Sequence, residues 1–162
     1  LYIADEFPHR WRVCANLLPD VAGVDPTLHF YDGHWWLFVC TSLDGSGSAD
    51  LLLFFSTSLL GPYRPHPQNP ISRDCRVARP AGKLFEEDGK LIRPAQDCGV
   101  RYGRGVVFRE VLTLTPFHYA ERTIRYQPAT WSDKIEGAHT YNRDGDREVT
   151  DGLRWAPRFG IR

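Results

Sequence analysis

The sequence predicts an all-β protein, and three observations support this fold class. Few stretches place apolar residues three and four positions apart, as an amphipathic helix requires. Short apolar runs instead end repeatedly at Asp-Gly, Gly-Pro or proline-rich segments, which are typical of turns between strands. Aromatic residues make up 13% of the 162 residues, and they suit the core of a sheet. The length is right for a single domain with its own core.

The predicted strands are short and evenly spaced along the chain. The stronger candidates are 1–5, 11–16, 27–31, 35–41, 51–56, 82–86, 91–94, 105–115 and 123–127, and the weaker ones are 140–142 and 148–153. Two-residue Asp-Gly turns match the twist of antiparallel strands. Asp32-Gly33 and Asp88-Gly89 therefore each predict a hairpin. The glycine-bearing segment DGSGSAD (44–50) is interpreted as a loop, without the lysine of a phosphate-binding loop.

The order of these elements repeats. Residues 24–70 contain a strand, an Asp-Gly turn, a second strand, a loop and further strand segments, and residues 76–130 contain a similar series. A four-stranded unit recurring at roughly 50 residues is typical of a β-propeller blade. Residues 1–20 then form the end of a preceding blade, and 133–162 the start of a following one. The sequence thus predicts one domain over 1–162, a propeller fragment of two whole and two partial blades.

Charge and cysteine content restrict the function classes. Twenty basic residues balance twenty acidic ones, so no net field favours nucleic acid or an anionic membrane surface. No apolar run reaches the roughly 20 residues that span a bilayer. We expect a soluble protein without membrane insertion, in a compartment that the sequence does not name, and cytoplasmic if the source is bacterial.

The four cysteines lack metal-site spacing and are predicted to be free thiols, with a Cys75–Cys98 disulfide as the alternative.

Several segments resemble known protein families. GVDPTLHFYDGHWWLF is similar to a blade-opening motif of the five-bladed β-propeller glycosidases of the arabinanase, xylosidase and levansucrase type, and SLLGPYRPHPQNPI resembles their blade-closing segment. A closer resemblance is to the propeller-like domain of plant glucosamine inositolphosphorylceramide transferases, found in bacteria beside formyltransferase-like modules. The segments that carry it are WWLF, LLLFFSTSLLGPYRPHPQNP, ARPAG, GKLIRPAQDC, YG and GAHTYN. The resemblance implies a five-bladed fold and a transferase domain fused elsewhere in the natural chain.

The glycosidase resemblance also implies candidate catalytic carboxylates. In those enzymes a base, a residue that tunes the pKa of the acid, and a general acid meet at the propeller axis, because glycoside cleavage needs carboxyl groups with different pKa values. Asp25 falls on the tuning position, although it could simply cap a turn. The position of the acid is replaced by Ala78-Arg79-Pro80. Glu136 resembles the missing glutamate at the start of the next unit, with a solvated turn residue as the alternative.

Arg79 and Arg93 stand at the two ends of one predicted hairpin, each followed by a proline that holds it extended. We expect both guanidiniums at the same end of the hairpin, with Gln96 and Asp97 beside them. There they could bind a carboxylate, a phosphate or sugar hydroxyls with paired hydrogen bonds. The alternative is an Arg79–Asp97 ion pair that connects neighbouring blades.

His139 is a further candidate for hydrogen bonding a ligand. On a strand, Glu136 and His139 would point to opposite faces, so they form a pair only if the segment is a loop. The histidines show no metal-ligand spacing, and neither a metal nor a cofactor is predicted.

These observations predict a carbohydrate-binding or glycan-processing propeller domain, accessory to a glycosyl or formyl transferase, whose partner is a saccharide or a sugar-containing small molecule. One alternative is a glycoside hydrolase or transglycosylase that uses an Asp/Glu pair. The other is a non-catalytic structural scaffold.

Overall fold

We describe a computed structural model of the chain, which covers residues 1–41, 50–154 and 156. Thirteen strands and no helix occur in these residues, which confirms the all-β prediction. Most of the predicted loop 44–50 and the last residues of the predicted unit 133–162 lie outside the described residues. No helix in this part of the chain could cross a membrane.

The strands form four antiparallel sheets that follow one another along the chain. A two-stranded sheet contains β1 (Tyr2–Glu6) and β2 (Arg10–Val13). A four-stranded sheet has the order β3 (Gly23–Tyr31), β4 (His34–Thr41), β5 (Asp50–Ser56) and β6 (Arg64–Pro65). A five-stranded sheet contains β7 (Arg79–Pro80), β8 (Phe85–Glu87), β9 (Lys90–Asp97), β10 (Gly105–Leu114) and β11 (Tyr119–Pro128). A last hairpin contains β12 (Tyr141–Asp144) and β13 (Arg147–Thr150).

Both predicted Asp-Gly hairpins are confirmed. Asp32 and Gly33 have φ angles of 47° and 72°, and Asp88 and Gly89 have φ angles of 50° and 72°. Two consecutive residues with positive φ form the turn that best fits the twist of a hairpin, and glycine adopts this conformation without steric cost. The register of the flanking strands, Tyr31 opposite His34 and Glu87 opposite Lys90, follows from these turns.

The five-stranded sheet differs from the prediction near its start. The predicted strand 82–86 is replaced by β7 and β8, which both pair with β9. Two residues interrupt the pairing: Pro80 has no N–H to donate, and Gly82 has a φ of 134°. The short β6 was not predicted, since proline at Pro65 argues against a strand except at an edge.

The sheets pack on one another through their faces. The largest core cluster joins the two larger sheets. It contains Trp36, Phe38 and Leu53 of the four-stranded sheet, Leu91 of β9, and Leu84, which directly precedes β8. A second cluster joins the other face of the five-stranded sheet to the last hairpin; its residues include Phe85, Ile92, Val106, Phe108 and Tyr141. The five-stranded sheet is thus covered on both faces. On the four-stranded sheet a smaller cluster of Leu37, Val39 and Phe54 lies on the other face, as the continuous apolar run of β4 requires.

All four cysteines are free thiols, as predicted, and the alternative Cys75–Cys98 disulfide is absent. The Cys98 N–H donates to the Cys75 carbonyl at 3.1 Å, so the two segments do lie side by side.

Candidate functional site

One polar cleft of about 380 Å³ lies where the two larger sheets and the last hairpin meet. Its walls come from β3, from β9 and the loop after it, and from the residues on either side of the last hairpin. The residues used below are Asp25, Thr27, Gln96, Tyr102, His139 and Asp151. Three successive sheets therefore contribute to one concave surface.

Asp25 reaches the cleft because β3 bulges. The pairing of β3 with β4 shifts its register between Val24 and Thr27, and Asp25 has a φ of 50°. A non-glycine residue in this left-handed region is uncommon, and Asp is among those that tolerate it best. The bulge turns the carboxylate of Asp25 toward β7, where it accepts a hydrogen bond of 2.5 Å from Arg79 Nε.

Arg79 is thus paired with Asp25. The expected alternative, an ion pair with Asp97, is wrong. The Arg79 side chain is one quarter exposed, and its guanidinium carbon lies 4.9 Å from the ring centroid of Tyr102. Burial alone would lower the pKa of Arg79, but the hydrogen bond and charge of Asp25 raise the pKa above its ordinary value. The guanidinium is therefore charged and held from two sides.

His139 and Asp151 form another part of the cleft wall. Asp151 accepts three hydrogen bonds of 2.7 Å, from Nδ1 of His139 and from the backbone N–H groups of His139 and Thr140. Burial raises the pKa of Asp151, but these hydrogen bonds outweigh it and lower the pKa below its ordinary value. Asp151 is therefore a carboxylate that fixes the backbone and the ring of His139.

The His139 ring is covered on its far side. Its centroid lies 4.6 Å from that of Tyr102, and Nε2 is buried without a hydrogen-bond partner among the described residues. A Cβ added to Gly103 would lie 2.6 Å from Nε2, so only glycine fits there. His139 contributes its ring edge and its backbone to the wall, and Nε2 is closed off by the Gly103 backbone.

Gln96 forms the floor of the cleft. Its side chain is buried, its Nε2 donates to the His139 carbonyl at 3.4 Å, and its Oε1 accepts from Cys98 Sγ at 2.9 Å. These partners hold the amide in one orientation.

Arg93 does not line the cleft. The expectation that the guanidiniums of Arg79 and Arg93 lie together at one end of the hairpin is wrong. Arg79 lies opposite Gln96 in the sheet, so Arg93 is three residues away, about 10 Å along β9. An odd separation also places Arg93 on the opposite face from Gln96. There it is fully buried and paired with Glu121.

Asp97 also faces away from Gln96, since neighbouring strand residues alternate. It accepts from the Gly99 N–H at 2.9 Å and lies 3.7 Å from Arg104.

Glu136 is not among the residues that line the cleft in the described part of the chain. Its backbone N–H donates to the Leu153 carbonyl, and β12 begins only at Tyr141. The segment with Glu136 and His139 is thus a loop, yet it brings only His139 to the cleft. Within the described ranges, no group of three or more histidine, cysteine, aspartate or glutamate residues is arranged to hold a metal ion.

Sequence reasoning missed Asp151 and Tyr102. Asp151 lies within the weak predicted strand 148–153, whereas β13 ends at Thr150. Nothing local in the sequence indicates that the Asp151 carboxylate accepts a hydrogen bond from a backbone N–H eleven residues earlier. Tyr102-Gly103 is one of the segments that carry the family resemblance, but the sequence alone does not indicate that Tyr102 lines the site.

Comparison with known proteins places this chain among plant transferase relatives. A family profile described as "Glucosamine inositolphosphorylceramide transferase 1, N-terminal" matches residues 1–150. The protein of that name from Oryza sativa subsp. japonica is 41% identical over 125 residues, covering 75% of this chain and 17% of the relative. The Arabidopsis thaliana protein is 34% identical over 146 residues, covering 88% of this chain and 19% of the relative. The match thus spans less than a fifth of each relative.

No solved structure matches this chain significantly. The sequence match extends over all four sheets and includes every described cleft residue except Asp151. This chain therefore belongs to the family of glucosamine inositolphosphorylceramide transferase N-terminal domains.

Proposed function

We propose that this chain is part of a β-propeller domain that binds a sugar-containing molecule in the polar cleft and serves a transferase module of the same natural protein. One observation carries the proposal: Asp25, Arg79 and His139 stand at or near the first strand of three successive sheets, and Asp25 and His139 line one cleft while Arg79 holds Asp25 beside it. Inner strands that open toward a shared axis are the arrangement in which propellers bind ligands.

The chemistry of the cleft favours hydroxyl groups over anions. Asp25 balances the charge of Arg79, which lies beside the cleft, and no arginine or lysine is among the described residues that line it. Carboxylates, an amide and a threonine hydroxyl accept or donate hydrogen bonds there, beside the half-exposed ring of Tyr102. A few oriented polar groups next to an aromatic surface are typical of small-molecule sites.

The names of the relatives supply the expected ligand class. They are called glucosamine inositolphosphorylceramide transferases, and family membership supports a sugar-containing partner and a fused transferase module as parts of this proposal. The relation to five-bladed glycosidases and to bacterial formyltransferase-associated proteins stays a prediction.

Glycoside hydrolysis receives no support from the cleft. Hydrolysis requires one carboxyl group with a raised pKa to donate a proton. Asp25 is instead paired with Arg79, and hydrogen bonds lower the pKa of Asp151. The catalytic roles predicted for Asp25 and Glu136, and the scaffold alternative, stay predictions.

The test is thermal unfolding with a panel of monosaccharides and disaccharides. A ligand that binds only the folded state raises Tm, and we expect at least one saccharide to do so. In Arg79→Ala this increase should disappear, because Asp25 and Tyr102 both lose their partner.

The matched control is Arg76→Ala, which removes an exposed arginine paired with Asp74 outside the cleft. It should keep the saccharide effect. Equal saccharide effects in Arg79→Ala and the unmodified protein would contradict the proposed site, and the absence of any effect across the panel would favour the scaffold.

A further inference from the structure

A small pocket of about 230 Å³, here called the arginine pocket, lies at one end of the four-stranded sheet. The residues that line it are His34, Phe55, Ser56, Thr57, Pro62 and Arg64. It shares none of them with the polar cleft. In the part of the chain that the structure describes, no aspartate or glutamate lines the arginine pocket. The pocket therefore combines a cationic side chain with hydroxyl groups, and it differs in charge from the polar cleft.

The register of the sheet places the arginine and the histidine on one face. Phe55 lies opposite Trp36 on β4 and opposite Arg64 on β6. His34 stands two positions before Trp36, so its side chain points to the same face. The ring centroids of His34 and Phe55 are 6.0 Å apart. Phe55 thus has His34 on one side and Arg64 on the other.

Arg64 is held by its neighbours but has no counter-charge. Pro65 follows it and favours an extended backbone at Arg64. Arg64 is exposed, and none of the ion pairs between described residues includes it. A guanidinium without a carboxylate partner is available to bind an anion through two hydrogen bonds.

The protons of the His34 ring are fixed by the turn before it. Nδ1 of His34 lies 2.9 Å from the carbonyl oxygen of Asp32. A carbonyl oxygen only accepts hydrogen bonds, so Nδ1 carries a proton. Nε2 then accepts a hydrogen bond in the neutral ring and donates one in the charged ring. The pocket can therefore share one proton with a ligand that itself carries an ionisable proton.

Ser56 adds a donor from the strand between them. It is 6% exposed, and its Oγ accepts a hydrogen bond of 3.1 Å from the Ser58 N–H. This contact uses a lone pair of the hydroxyl and leaves its proton free to donate. Groups from three neighbouring strands, His34 on β4, Ser56 on β5 and Arg64 on β6, therefore line one pocket.

We propose that the arginine pocket binds a phosphate group that carries an ionisable proton, as inorganic phosphate or as a phosphate monoester. Arg64 balances part of the negative charge, Ser56 donates to one oxygen, and Nε2 of His34 shares the proton. Phosphate monoesters lose this proton with a pKa of about 6, whereas sulfate and phosphate diesters have no such proton at neutral pH. The pocket is smaller than the roughly 300 Å³ at which sites for drug-sized ligands begin, so it suits a single phosphate group.

The test titrates inorganic phosphate, methyl phosphate, dimethyl phosphate and sulfate into the protein at neutral pH and constant ionic strength. NMR follows the ring signals of His34. Inorganic phosphate and methyl phosphate should shift these signals, and sulfate and dimethyl phosphate should bind at least about tenfold more weakly because they lack the shared proton. Tighter binding of methyl phosphate would identify the natural ligand as a monoester, and tighter binding of inorganic phosphate would identify it as the free ion. Equal affinities for all four anions, or unchanged His34 signals, would overturn the proposal.

Two variants test the roles of the side chains. Arg64→Gln should weaken phosphate binding at least about tenfold. His34→Phe keeps an aromatic ring beside Phe55 and should bring the affinities for phosphate and sulfate close together. The matched control is Arg73→Gln, at a 75% exposed arginine that lies 4.0 Å from Asp50 at the other end of β5, and it should bind phosphate normally.

Normal phosphate binding by Arg64→Gln would also overturn the proposal, and if either variant is unfolded, the His34 signals of the unmodified protein decide. The inference does not rest on the proposed function. Arg64→Gln should keep the effect of saccharides on Tm, so a failure at the arginine pocket leaves the polar cleft as it stands.

Discussion

Arg93 donates two hydrogen bonds, of 2.8 and 2.7 Å, to the two carboxylate oxygens of Glu121 inside the protein. Their side chains are 1% and 5% exposed. Tyr119 donates a further hydrogen bond of 2.6 Å to Glu121. Burial raises the pKa of Glu121, but the charge and hydrogen bonds of Arg93 lower it below its ordinary value. Two strands of one sheet, β9 and β11, are thus joined by a charge pair that spans the strand between them, β10, and lies away from the cleft.

The first prediction concerns this pair. Glu121→Gln should destabilise the protein by about 3 to 5 kcal/mol, because it leaves the Arg93 charge buried without a counter-charge. Urea unfolding at neutral pH measures the change. Glu110→Gln, whose partner Arg122 is 61% exposed, is the control and should cost less than about 1 kcal/mol. Similar small losses in both variants would show that Arg93 does not depend on Glu121.

The second prediction concerns pH. Because the pKa of Asp151 is lower in the folded protein than in the unfolded chain, the unfolded state binds more protons between the two values. The Asp151 carboxylate therefore stabilises the folded protein fully at pH values above its unfolded pKa of about 4. This stabilisation is lost as the pH falls through the pKa that Asp151 has in the folded protein.

Asp151→Asn should thus be less stable than the unmodified protein at neutral pH, by roughly 0.5 to 1 kcal/mol for a carboxylate that is 40% exposed. The difference should shrink toward zero in acid. Urea unfolding across an acid pH series checks this, and a difference that does not change with pH would contradict it.

The third prediction compares two glycines with positive φ. Gly103 and Gly89 have φ angles of 65° and 72°, so replacing either by alanine carries a backbone cost of about 1 kcal/mol. Only at Gly103 would the new Cβ also meet the His139 ring; at Gly89 nothing lies within 4 Å. Gly103→Ala should therefore destabilise more and shift the NMR signals of His139 and Tyr102. Unchanged signals would mean that the ring is not held as described.

The fourth prediction concerns thiol reactivity. Burial raises the pKa of Cys40 to about 11, and the thiolate is the reactive form. At mildly alkaline pH, iodoacetamide should label Cys14, which is half-buried, well before Cys40. Mass spectrometry of the peptides measures both, and the difference should vanish in urea. Equal labelling of the folded protein would contradict the burial of Cys40.

Much of the local structure was predictable. The Asp-Gly pairs at Asp32 and Asp88 determine their own turns, because the required positive φ angles depend on the two residues themselves. The short apolar run of β4, bounded by the Asp32-Gly33 turn, predicts a strand, and the repetition of such runs predicts the fold class. The glycosidase resemblance predicts Asp25 as a site residue, and the positions of Arg79, Gln96 and His139 at the openings and ends of predicted units predict the other three. The structure brings Asp25, Gln96 and His139 to the polar cleft and Arg79 beside it.

The sequence by itself determined where the chain turns and which segments extend, since those depend on residues that are close neighbours along the chain. Only the tertiary structure decided the partners: Asp25 for Arg79, Glu121 for Arg93 and Asp151 for His139. Each partner lies between 12 and 54 residues away. The choice among many carboxylates depends on sheet register and packing, because a one-residue change along a strand turns a side chain to the other face.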